Sequence, residues 1–237
     1  MWLTEKVTPT FEVRLRIKRK IHRAQSRYQQ IEVVETFDFG RILLLDGSIQ
    51  LATKDQHLYH GALADRSFAL APQAKRVLII GGGDGALLSA VMKRKEVERA
   101  CLVEIDEEVI ACAKRFFPQL AHGFRDPRAE VVIEDGLKYV RRATERFDIV
   151  MVDAPDPVGE GYRLFLASFY RHCAQLLTAG GVLAAQSESP YLFPRISARV
   201  RHAFEKLFPQ VEQTTVIVPS YPGGSIGFTF GVKDSAT

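Results

Sequence analysis

Residues 76–84 read RVLIIGGGD, and Gly85 and Ala86 follow. Val77, Leu78, Ile79 and Ile80 form a continuous apolar run that ends at three glycines. A strand buried on both faces and ending at a ligand site reads this way. Glycines let backbone N–H groups approach a ligand closely, and a helix over residues 86–93 is predicted just beyond them. The run from Gly81 through Gly83 to Ala86 satisfies the dinucleotide fingerprint G-x-G-x-x-G/A. Asp84 argues against a phosphate, which its carboxylate would repel, and favours a ligand carrying positive charge. Glu104 ends the next predicted strand, residues 100–104, where an acid takes ribose hydroxyls. Dinucleotides and adenosyl-sulfonium cofactors both use such a unit. A tight strand–helix turn with no ligand is the plain alternative.

The sequence around this stretch predicts an α/β fold. Past a helical segment at residues 55–70, strands at 76–80, 100–104, 129–133, 147–152 and 182–186 alternate with helices near 86–94, 107–116, 136–145, 162–178 and 194–208. That alternation means a doubly wound, Rossmann-like, mostly parallel sheet. Residues 211–218 and 225–232 read as a closing hairpin, a variant associated with methyltransferase-type sheets. Ahead of it, residues 11–21 alternate apolar and charged, and 31–37 and 41–45 are further strands, with turn signals at Asp38-Phe39-Gly40 and Asp46-Gly47. Residues 1–52 therefore form a small antiparallel β-domain of three or four strands, and 53–237 the Rossmann-like domain.

The 237 residues are 46% apolar and 25% charged, ordinary for a soluble globular chain. A net charge of +4 says little about partners. Arg14, Arg16, Lys18, Arg19, Lys20, Arg23 and Arg27 make one basic stretch, read as a solvated strand face rather than a nucleic-acid site. Cys101, Cys112 and Cys173 lack metal spacing and read as reduced thiols of a cytoplasmic protein. No signal peptide or membrane-spanning run is read, and no metal is expected.

In such sheets ligands bind beyond the carboxyl ends of the strands. The successive strand ends present Asp84, then Glu104 and Asp106, then Asp135, then Asp153 and Asp156, then Gln186. A mildly basic protein thus has an acid-lined cleft, whose natural ligands are cations. Glu104 has two acceptor oxygens for two ribose hydroxyls, and Asp135 is placed to accept from an adenine amino group. Asp84, Asp153 and Asp156 remain for the reacting end. Asp84 would pair with an ammonium and repel the carboxylate of intact adenosylmethionine.

At this point the chain resembles the polyamine aminopropyltransferases, the spermidine synthase family, over nearly its whole length. The resemblance rests on Ser26-Arg27-Tyr28-Gln29, LLDGSIQ at 44–50, Tyr59-His60, residues 77–85, Val103-Glu104-Ile105-Asp106, residues 153–159, Leu164-Phe165, Phe169-Tyr170, VPSYPGG at 218–224 and Trp2-Leu3-Thr4-Glu5. It implies transfer of the aminopropyl group of decarboxylated S-adenosylmethionine to an amine, usually putrescine, with release of methylthioadenosine and no permanently bound cofactor. It implies that Asp153 receives the amine proton while Tyr59 and Asp156 orient the attacking nitrogen. Gln29, Gly81, Gly83, Asp84, Glu104, Asp135 and Gly136 would hold the nucleoside. His60, Gln186 and Tyr221 would line the amine channel, with Trp2 and Glu5 at its far end. A homodimer or homotetramer without nucleic-acid or membrane partners is also implied. The chain departs from the family pattern at Gln56 and Gly61, each usually Glu, at Ala86, usually Gly, at Ser89-Ala90, usually Arg-Glu, and at Ala154-Pro155, usually a Ser pair or Ser-Thr. A methyltransferase using intact adenosylmethionine and a non-catalytic polyamine- or nucleoside-binding relative are the competing readings.

Overall fold

The computed structural model of the chain describes residues 1–154 and 159–235. Five strands open it: β1 (Trp2–Thr8), β2 (Phe11–Gln25), β3 (Gln30–Thr36), β4 (Arg41–Leu45) and β5 (Ser48–Ala52). They pair in sequence order, each antiparallel to the last. Asp46 and Gly47, with φ of 49° and 85°, make the two-residue left-handed turn that suits the twist of a hairpin. The sheet has more strands than the periodicity suggests. In β1 the buried position is a glutamate, Glu5, so no apolar alternation marks that strand. Ile31, Val33, Leu43 and Leu51 pack on Val109, Cys112 and Phe117 from later in the chain. On the opposite face the sheet curls, and the Ile49 amide of β5 donates to Glu5 Oε2 of β1 at 3.2 Å.

The second sheet begins after α1 (Gln56–Leu70). Its units are β6 (Arg76–Gly81), α2 (Ala86–Met92), β7 (Arg99–Glu104), α3 (Glu107–Phe116), β8 (Ala129–Ile133), α4 (Gly136–Arg142) and β9 (Phe147–Asp153). Then come α5 (Ala167–Gln175), β10 (Leu177–Gln186), α6 (Pro194–Glu205), β11 (Gln210–Ile217) and β12 (Ser225–Val232). The strand order is β11-β12-β10-β9-β6-β7-β8. Strands β10, β9, β6, β7 and β8 run parallel, and the hairpin adds β12 antiparallel to β10. The apolar run of β6 is buried on both faces, as its continuity predicts. Val77 and Ile79 pack toward α1 and α2, and Leu78 and Ile80 toward α4 and α5. Burying each such side chain is worth about 1.5–3 kcal/mol.

The helix predicted over residues 162–178 is interrupted. A 3-10 turn covers Gly159–Phe165, Leu166 is extended, and α5 starts at Ala167. Leu177 already pairs with Phe147, so β10 begins earlier than expected and shifts register before Val182. The glycines at 180 and 181, the first at φ 72°, permit that shift. Asp156, with Pro155, Pro157 and Val158, lies outside the described residues.

The central strands are locked together at their carboxyl ends. Gly81 pairs with Asp153 in the register of β6 and β9. At φ 83°, a Cβ on Gly81 would lie 2.1 Å from the Asp153 carbonyl oxygen. Gly81→Ala combines a left-handed backbone with a backbone clash, and is expected to lose about 3 kcal/mol or more of stability, read from urea midpoints.

Candidate active site

The strand ends bring most of the expected acids to one rim. Gly81, Gly82 and Gly85 all have positive φ, between 70° and 83°, and turn the chain from β6 into α2. Gly83 shows why the loop needs a glycine: a Cβ there would lie 2.8 Å from Glu104 Oε2. In its absence the Gly83 amide donates to that oxygen at 3.1 Å. Glu104 Oε1 accepts from the Asp106 amide at 3.0 Å. Burial pushes the Glu104 carboxyl up to about 7, and its backbone hydrogen bonds only partly offset this.

Asp135 caps α4, accepting from the Leu137 amide at 2.8 Å. Gly136 follows it against β6, where a Cβ would meet Ile80 Cγ2 at 2.5 Å. Gln29 donates to Asp106 Oδ2 at 2.9 Å, and Ser26 donates to the same oxygen at 2.6 Å. The small sheet is thereby pinned to the N-terminus of α3 beside Glu104.

A tighter constellation sits between α1, the glycine loop and β9. Tyr59 OH donates to Asp153 Oδ1 at 2.6 Å. Among the described residues, Asp153 Oδ2 is buried without a hydrogen-bond partner. His60 Nε2 lies 3.8 Å from Asp84 Oδ2 and 3.9 Å from Asp153 Oδ2. Asp84 Oδ1 is engaged by the Ala86 amide at 2.7 Å, which fixes the carboxylate. Burial raises the Asp153 carboxyl to about 6, and the Asp84 charge adds to it. The neighbouring His60 and the Tyr59 hydroxyl pull the other way. Burial and the Asp153 charge hold the Tyr59 phenol well above its ordinary value, so it remains a donor.

One ligand atom from each of His60, Asp84 and Asp153 lies within 4.8 Å of the others. A point within about 2.8 Å of all three corners therefore exists, the length of a charge-assisted hydrogen bond. Three N–H groups of one ammonium would hold their acceptors about 4.6 Å apart at that length. A tetrahedral zinc at roughly 2.0–2.1 Å would draw its ligands to about 3.4 Å. Two sides of the triangle, 3.8 and 3.9 Å, fall between these two lengths, so it is the pair of carboxylates, not the size, that marks the space as one for a cation.

The neighbouring wall comes from distant parts of the chain. Tyr221 packs 5.7 Å from Tyr59, ring to ring, and its hydroxyl donates to the Gln50 carbonyl at 2.7 Å. Asp55, just before α1, accepts from the Ser220 amide at 2.7 Å and from its hydroxyl at 2.9 Å. Gln186 is buried at the end of β10 and donates to Glu188 Oε1 at 3.0 Å. Glu188 itself is buried, at φ 64°. Neither Glu188 nor Asp55 stands out in the sequence as a site residue. QSESP at 186–190 after a strand end was the available signal for the first.

Trp2 and Glu5 are separated. Glu5 is buried on the inner side of β1, whereas Trp2 is 57% exposed, with Arg14 5.2 Å above its ring. An odd spacing in a strand puts the two on opposite faces, so Trp2 does not join Glu5.

Fold and site together define an acid-lined site, suited to a cation, at the strand ends of a methyltransferase-type sheet. Comparison with known proteins makes this specific. Residues 56–237 match the spermine/spermidine synthase domain, and residues 1–53 the spermidine synthase tetramerisation domain. A polyamine aminopropyltransferase of Desulforudis audaxviator is 41% identical over 98% of this chain and 85% of its own length. A spermidine synthase solved with the transition-state analogue AdoDATO superposes with a TM-score of 0.95 at 36% identity, over 98% of this chain and 80% of that one. The spermidine synthase of Thermotoga maritima superposes with a TM-score of 0.91 at 35% identity, over 98% and 79%. The chain belongs to the spermine/spermidine synthase family, the polyamine aminopropyltransferases, and is an enzyme of that class.

Raised carboxyls at Glu104 and Asp153 mean that the native state holds protons which the unfolded chain releases between about pH 4 and 7. Their contribution to stability falls as pH rises through that window. The urea midpoint of the ligand-free protein is expected to be lower at pH 8 than at pH 6. Asp153→Asn is expected to raise stability at pH 8 by roughly 2–3 kcal/mol and to flatten this dependence.

Proposed function

We propose that the protein transfers the aminopropyl group of decarboxylated S-adenosylmethionine to putrescine, giving spermidine and methylthioadenosine. The observation that carries this reading is the triangle of His60, Asp84 and Asp153, with the unpartnered Asp153 Oδ2 at one corner. It suits the terminal ammonium of an aminopropyl chain. The carboxylate of intact adenosylmethionine would meet two negative charges there.

Each residue has a role in this reading. Glu104 accepts the ribose hydroxyls, and Asp135 and Gly136 border the adenine. Gly81 and Gly83 let the loop backbone close on the nucleoside, and Gln29 braces this side through Asp106. Asp84 and His60 hold the donor's ammonium. The acceptor nitrogen attacks the carbon bonded to sulfur; a C–N bond forms, the C–S bond breaks, and its electron pair neutralises the sulfonium. The proton lost by that nitrogen passes to Asp153, held by Tyr59, and on to solvent. A free amine of pKa near 10 is almost wholly protonated at neutral pH, so stripping and aligning it is the main task. Asp156 is assigned to the attacking nitrogen by family resemblance. Gln186 and Tyr221, with Glu5 beyond, form the acceptor channel.

We infer further that the chain divides at residues 1–52 and 53–237 and works in the cytoplasm as a homodimer or homotetramer through its N-terminal sheet. The family match of residues 1–53 supports the assembly.

Mass spectrometry of methylthioadenosine and aminopropylated product, with decarboxylated adenosylmethionine and a panel of di- and triamines, tests the reaction. Putrescine is expected to be the best acceptor, and Asp153→Asn to lower kcat by about 10²–10⁴. Nucleoside binding without product from any amine would favour a non-catalytic relative. Asp84→Asn keeps the acceptor for the Ala86 amide but loses the charge, and is expected to raise KM for the donor roughly 10- to 100-fold. The catalytic rate is expected to fall as pH drops through about 6, where Asp153 takes up a proton.

A further inference from the structure

His60 has two acceptors on its inner nitrogen. Nδ1 lies 2.9 Å from the Gln56 backbone carbonyl and 3.0 Å from the Gln56 side-chain Oε1. Neither oxygen can donate, so Nδ1 carries a hydrogen. Nε2 is then either a bare acceptor or the second N–H of an imidazolium. It faces Asp84 Oδ2 and Asp153 Oδ2, with the Tyr59 ring 4.8 Å away. The charged groups around the imidazole are thus two carboxylates from the glycine loop and β9. From α1 it meets a neutral amide.

These contacts set up a competition. A proton on Nε2 and an ammonium in the triangle are both cations seeking the same two carboxylates. With Nε2 protonated, the ammonium loses its third acceptor and meets a positive charge at hydrogen-bond range. Binding of the ammonium therefore requires His60 neutral, as the tautomer bearing its hydrogen on Nδ1. The residue at position 56 weights this choice, because it touches the far side of the ring.

We propose that Gln56 is a positioning residue that fixes the His60 tautomer and, by being an amide rather than a carboxylate, keeps Nε2 available to the donor's ammonium at lower pH. The proposal rests on the aminopropyltransferase reading for the identity of that ammonium. Gln56 touches no substrate; it acts through the imidazole. A carboxylate at 56 would add a negative charge about 3 Å from Nδ1 and favour the imidazolium. The outcome would be a shift in pH dependence rather than a loss of the chemistry.

Two measurements on the full chain test it. In the first, ¹⁵N-labelled histidine is followed by NMR in the ligand-free protein at pH 8, with His60 assigned through its own Cβ correlation. The expected result is a pyrrole-like Nδ1 and a pyridine-like Nε2 for His60. The reverse tautomer would overturn the proposal whether or not the enzyme is active. In the second, kcat/KM for decarboxylated adenosylmethionine is measured against pH for the parent and for Gln56→Glu. The acidic limb of the variant is expected to move up by about one pH unit. KM for the donor should rise by up to about tenfold at pH values well below the limb and little above it, while kcat at saturating donor stays within about twofold. Gln56→Met removes the side-chain acceptor without charge, and is expected to leave the limb within a few tenths of a unit. An unmoved limb in Gln56→Glu would overturn the proposal, as would an equal fall in kcat at every pH. Absence of product from the parent, with the expected tautomer present, would instead overturn the transferase reading and leave the role of Gln56 toward the imidazole standing.

Discussion

Two carboxylates share a buried space with one imidazole, and among the described residues no Lys or Arg side chain is paired with either of them. Charge held out of water in this way is costly unless it is paired. The scaffold meets that cost by fixing the groups rather than neutralising them. A backbone amide holds Asp84, a phenol holds Asp153, and two oxygens hold the far side of His60. The site is thus preorganised for a cation before one arrives, which is the arrangement that gives charged groups their greatest effect.

The parallel sheet makes this possible. Strands β6 and β9 are neighbours, so Asp84 and Asp153 leave the sheet side by side although 69 positions separate them in sequence. Tyr59 and His60 then come down from α1 over the same strand ends. Glu104, one strand further out, is reached by the glycine loop through a contact that any side chain on Gly83 would block.

Much of this was legible in the residues. The apolar run stopped by glycines located the sheet and its ligand end, and the acids at successive strand ends located the rim. Period-two alternation located β2. What the sequence concealed follows from contacts between distant segments. Asp55 stands at the start of the predicted helical segment 55–70, yet its partners are the amide and hydroxyl of Ser220. Glu188 follows its strand in a left-handed turn that carries no glycine to announce it. Trp2 and Glu5 stand together in a motif, but the pleat sends them to opposite faces. The interruption at Leu166 was hidden because both flanking segments carry helical patterns.

The clasp between Asp55 and Ser220 has a consequence for how the enzyme comes into being. It joins residues 165 positions apart, and the neighbouring bond from Tyr221 to Gln50 spans 171. During synthesis the N-terminal sheet and the parallel strands emerge long before the closing hairpin. Until β12 docks on β10, the site lacks the Tyr221 ring beside Tyr59, and Asp55 ahead of α1 lacks its partner. Long-range closure of this kind is slow relative to local folding. A nascent or truncated chain can therefore be largely folded and still have an incomplete site, so the finished site arrives as the last event of assembly.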